Sequence, residues 1–146
     1  MVEDLWPEEL EAAKIRPPVS ILKEQASLLG QKTKNLVEGL VLSTEIGGDI
    51  SHSFFLVAPA LSSYRYLLFT MSHDIRMYPL FINMEGEILA EANPELYQKL
   101  GRAASLLAGS HKEKAKNEAE FLALLKRIFS ATKTKQLIAA MLSQST

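Results

Sequence analysis

Three two-residue turn signals, Gly47-Gly48, Ser62-Ser63 and Glu85-Gly86, punctuate one β-favouring stretch between residues 35 and 91. Connections this short can join neighbouring strands only in antiparallel fashion, because a parallel crossover needs a dozen residues or more. The stretch therefore predicts a meander of about five strands, over residues 35–46, 54–61, 64–72, 77–84 and 87–91. Within the first of them Leu36, Leu40, Leu42 and Ile46 share one parity while Val37 and Val41 take the other. In the third, Leu67, Phe69 and Met71 alternate with Tyr64, Tyr66 and Leu68, so both sides read as apolar. A sheet with one solvated face alternates cleanly between apolar and polar residues. The missing alternation predicts helices on both faces, or one helix layer plus a partner subunit. Pro59 and Pro79 fall inside strand-like runs, where a residue without an N–H is tolerated only at an edge or bulge, so at least one strand is expected to be irregular.

Helical periods flank the meander. Pro7 followed by Glu8 and Glu9 suits a first helical turn and predicts a short helix over residues 5–14, stopped by Pro17 and Pro18. A second helix is expected over residues 19–32, with Ile21, Leu22, Ala26, Leu28 and Leu29 as its apolar stripe. After the strands, Asn93 caps a helix in which Leu96, Leu100, Ala103, Ala104 and Leu107 recur at helical spacing, ended by Gly109-Ser110. A long helix follows over residues 113–129, and Thr132 caps a last one whose apolar face is Leu137, Ile138, Met141 and Leu142. Helices, then strands, then helices read as an α+β fold in one domain of 146 residues, divided as 1–34, 35–92 and 93–146.

Composition narrows the function classes. A chain of this length buries roughly 68–70% of its unfolded surface and needs no staple to fold. With no cysteine, thiolate metal sites, cysteine nucleophiles and sulfur redox switches are excluded. Residues 1–10 carry four acids and no base, unlike a secretory leader, and the longest uncharged stretch is too short and too polar to cross a bilayer. The expectation is a cytoplasmic protein with no membrane association.

Charge is divided along the chain. Residues 1–92 hold 7 Lys+Arg against 13 Asp+Glu, whereas residues 93–146 hold 9 against 4. The second part contains one basic cluster, Lys112, Lys114 and Lys116, followed by Lys126, Arg127, Lys133 and Lys135. The plainer reading is the solvated face of helices, and the sharper one a docking surface for an acidic partner. A nucleic-acid platform is disfavoured, because the strands carry only Arg65 and Arg76 between their aromatic residues.

One cluster has catalytic residue types: Ser72, His73, Asp74, Arg76 and Tyr78, where one strand ends and the next begins. An imidazole near a carboxylate can act as a general base and Arg76 can hold an anion. Adjacent residues do not make a triad, however, and Asp74 also reads as a turn-capping residue. A turn at Ser62-Ser63 sets opposite positions summing to about 125, which places His52 across from His73. Their expected role is a neutral pair at one end of the sheet, exchanging hydrogen bonds with Ser53 or Ser72. His111 stands apart beside the lysines, and no helical metal-site spacing occurs. No cofactor is indicated.

These features together read as a small cytosolic accessory or regulatory protein that is not an enzyme and acts by protein–protein binding as a homodimer. One alternative is a ligand-binding protein or enzyme with a pocket near His52 and His73, drawing on Asp74 and Arg76. Another is weak nucleic-acid binding through Lys112, Lys114, Lys116, Lys126 and Arg127.

Overall fold

The computed structural model describes residues 2–100 and 112–146. Helix α1 (Pro18–Lys32) leads into strands β1 (Glu38–Ile46), β2 (Asp49–Ala58), β3 (Tyr64–His73) and β4 (Leu80–Met84). Helices α2 (Gly86–Ala92) and α3 (Pro94–Leu100), strand β5 (Lys112–Ala115) and helices α4 (Glu118–Ser130) and α5 (Thr132–Gln144) complete the described chain. The five strands form one antiparallel sheet in the order β1-β2-β3-β4-β5. The α+β architecture is as expected, and no described helix is long and apolar enough to cross a membrane.

Local chemistry explains most element boundaries. Pro17 is extended and Pro18 opens α1, since a first-turn residue loses no helical hydrogen bond by lacking an N–H. At the other end the Thr33 hydroxyl accepts the Val37 N–H at 3.1 Å and donates to the Val37 carbonyl at 2.7 Å, tying the helix end to the start of β1. Gly47 and Gly48 take φ of 59° and 89° between the paired residues Ile46 and Asp49, a two-residue hairpin open to glycine without strain. Gly39 lies where α1 crosses β1. A Cβ there would fall 2.5 Å from that of Ala26, so the helix can rest on the strand only because Gly39 has no side chain.

The register between β2 and β3 slips once. Phe54 faces Phe69 and Phe55 faces Leu67, so Leu68 is an extra residue in β3. Such a bulge turns two successive side chains to the same side. Leu68 and Phe69 are both 1% exposed, while Leu67 is 46% exposed on the opposite side. Tyr66, Leu68, Phe69 and Met71 thus all serve one core, although strict alternation assigns them to two faces.

The described helices cover only one face of the sheet. Ile21, Leu22 and Ala26 from α1, Ile88 and Leu89 from α2, Phe121, Leu125 and Ile128 from α4 and Met141 from α5 join the inward residues of the strands in a single cluster. Phe54 stacks on Phe69 at 5.3 Å, and Phe129 tilts against both rings. Helices on both faces, the first of the two expected arrangements, are absent among the described residues.

Four other expectations are corrected. Residues 5–14 form no helix: Leu5, Trp6 and Leu10 are exposed, and an isolated helix this short is marginal in water. Residues 87–91 belong to α2, because Ile88, Leu89 and Ala92 bury one helical side and five residues are too few to separate the two periods. Residues 112–115, expected at the start of a long helix, instead supply the fifth strand, pairing Phe81 with Lys114. The helix begins only after Asn117, whose side chain accepts the Glu120 N–H at 2.9 Å. Thr132 is not a cap. Its N–H and hydroxyl both donate to the Glu91 carboxylate of α2, which these bonds hold below the usual carboxylate range. Asn93 does cap α3 through the Leu96 N–H, and the continuation expected over residues 101–110 lies outside the described residues. Pro59 sits in a single 3-10 turn after β2 and Pro79 just before β4, so neither interrupts a strand.

Candidate functional site

His52 and His73 meet. Their Nε2 atoms lie 3.1 Å apart, and both side chains are buried on the helix-covered face. The two residues are not directly opposite: His52 faces Met71 and Ile50 faces His73, so the bond is diagonal, two residues from the expected register. A shift of two keeps both imidazoles on the same face, which is why they still reach each other.

The pair belongs to a chain of four groups. Ser43 Oγ is 2.6 Å from His52 Nδ1, and His73 Nδ1 is 2.7 Å from the Asp74 backbone oxygen. Because a carbonyl only accepts, His73 Nδ1 carries the hydrogen and its Nε2 accepts from His52 Nε2–H. His52 Nδ1 then accepts the Ser43 hydroxyl. All four ring nitrogens are satisfied with both rings neutral. Burial above all, and then the electrostatic influence of His73 and Lys23, lowers the His52 pKa to about 4.

The remaining members of the catalytic-type cluster point elsewhere. The carboxylate of Asp74 accepts from Arg76 Nε and Nη2 and from the Arg76 N–H, making a closed turn on the surface. These bonds push the Asp74 pKa down and that of Arg76 up. His73 bonds the Asp74 backbone and not its carboxylate, so no imidazole–carboxylate dyad forms. Tyr78 packs edge-on against Phe121, its hydroxyl buried without a hydrogen-bond partner and its pKa raised by burial to about 12. No group of three His, Asp or Glu that could hold a metal occurs among the described residues.

The basic residues are scattered over the C-terminal part. Lys114 lies in β5 and shares a shallow cleft with Arg127, Glu113 and Glu120, so its charge is opposed locally. Lys116 is exposed at the turn into α4, and Lys126 lines a different cleft, between α1 and α4. Arg127 reaches the Ala92 carbonyl, while Lys133 lies beside Glu85 and Glu87. His111 and the side chain of Lys112 lie outside the described residues.

The other face of the sheet is left uncommitted by the described helices. Register puts Leu40, Phe55 and Leu67 in one row across three strands, with Leu42 and Val57 on either side of it. Leu42 is 43% exposed, and the Arg65 guanidinium lies 5.5 Å from the Phe55 ring centre. Beyond this patch comes a band of hydroxyls, Thr44, Ser51, Ser53, Thr70 and Ser72, and then Phe81 beside Lys114. The signal for this face was present in the parity of Leu40 and Leu42 against that of Phe55 and Val57. Comparison with protein-family models, curated proteins and solved structures returns no match, so the two candidate sites are judged on their own chemistry.

Proposed function

We propose that the protein is a non-enzymatic binding module of the cytosol, an accessory or regulatory protein that works by protein–protein association and whose first partner is a second copy of itself. The observation that carries this reading is the open sheet face, where the row Leu40, Phe55 and Leu67 has no helix over it among the described residues. Contiguous apolar patches on a rigid sheet mark interaction sites more often than isolated exposed side chains do. The layout supports the same reading: an apolar centre, hydroxyls that can bond a partner, and Glu38, Arg65 and Lys114 at the margin, the pattern of an interface core with a polar rim. A two-fold dimer would mask the patch on both copies at once.

Light scattering behind a sizing column tests this directly. A mass of twice 16.2 kDa at micromolar concentration is expected, with Leu67→Glu returning the single-chain mass while its circular dichroism stays unchanged. A single-chain mass for the wild type at every concentration would overturn the reading.

A further inference from the structure

A second unpartnered surface lies in the same chain. Residues 2–15 carry no helix or strand, and Leu5, Trp6 and Leu10 are 85%, 75% and 69% exposed. Glu3, Asp4, Glu8, Glu9 and Glu11 lie among them, with Lys14 the only base. This arm joins the fold at Arg16, which pairs with Glu24 and, across 3.8 Å, with Glu118 at the start of α4. Glu118 follows Lys116 by two residues, so the acidic arm leaves the domain beside the sheet edge that carries Lys114 and Lys116.

Resting on the binding-module reading, we infer that the acidic N-terminal arm of one copy docks across the open sheet face of the other, Trp6 seating on the Leu40, Phe55 and Leu67 row. The two surfaces are complementary in both respects that matter: apolar side chains meet apolar side chains, and carboxylates meet Arg65 over the Phe55 ring and the exposed Lys116. Reach is sufficient. The ten residues from Arg16 out to Trp6 span about 33 Å when extended, against about 19 Å for the width of a five-stranded sheet. Each copy offers one arm and one face, so a pair related by a two-fold axis satisfies both and closes on itself. Arm and face together present about 20 residues a side, the number a standard interface uses.

Trp6 is the only tryptophan, so its emission reports on the arm alone. Wild-type protein is followed from about 100 μM down to about 1 μM by tryptophan fluorescence and by light scattering on the same samples. The expected result is blue-shifted emission in the dimer, turning red on dilution with the same midpoint as the mass. The double variant Trp6→Ser/Leu10→Ser, followed by mass, is expected to raise the dimer dissociation constant by at least about tenfold. A dimer with water-exposed emission throughout, or a double variant with unchanged dissociation, overturns the docked arm and leaves the binding-module reading standing. A single-chain mass with blue-shifted emission places the arm within its own chain and overturns both, as does a single-chain mass with exposed emission.

Discussion

The neighbouring residues Phe54 and Phe55 sit on one strand, yet one is 1% exposed under α4 and the other looks out from the open side. The same contrast runs across the whole sheet. On the covered face Phe54 and Phe69 stack on each other beneath Phe129 of α4, so identity and volume there are constrained by close packing. On the open face residues of the same type are left partly exposed, and substitution there is expected to change association and not folding. A residue's role in this protein follows from its side of the sheet more than from its hydrophobicity.

The contrast breaks most sharply at that pair. Phe54→Ala is expected to lower unfolding stability by about 3–5 kcal/mol, and Phe55→Ala by less than about 1 kcal/mol, both read from urea denaturation. Equal losses would mean that the open face is packed after all. The second test exploits the buried imidazole. His52 stays neutral in the fold down to about pH 4, whereas in the unfolded chain it protonates near its ordinary value of 6.5. As pH falls through that window the unfolded state binds the extra proton, so stability drops, by an amount approaching ~3 kcal/mol. His52→Gln should remove this part of the acid slope; identical slopes for variant and wild type between pH 7 and 4.5 would refute a neutral buried His52.

Smaller effects sharpen the same picture. Gly39→Ala drives a methyl into Ala26 on the covered side and is expected to cost about 1–3 kcal/mol, visible as a lower melting temperature. Asn117→Ala removes the cap of α4 and should cost about 1 kcal/mol by the same measurement. Leu67→Glu, on the open side, is expected to move single-chain stability by no more than about 0.5 kcal/mol while abolishing the proposed association.

Antiparallel order and the helix–sheet–helix sequence were legible because short turns and apolar periods report local geometry. The five-strand count was also legible, but its fifth member was not. Residues 112–115 pair with β4 from across a long connection, and Lys-Glu-Lys-Ala gives no alternation of apolar and polar residues to mark a strand. Parity arguments failed on β3 for a different reason: the extra residue at Leu68 reverses the faces halfway along, and nothing in Tyr-Leu-Leu-Phe signals where. His52 and His73 were brought together by turn arithmetic that missed the register by two, a tolerance built into the period of a strand. Which face the helices choose was out of reach, since apolar residues occur on both.

Consider what the Ser43, His52, His73 and Asp74 line implies for strands searching for their alignment during folding. Sliding β2 by one residue against β3 would send one imidazole to the open side and leave the other alone in the core, an unpaired polar ring in an apolar setting. The native arrangement gains little from these bonds over water, but a one-residue slip forfeits them while still burying one ring. The line therefore acts as a key for the alignment, rejecting near-misses that the surrounding leucines and phenylalanines would accept.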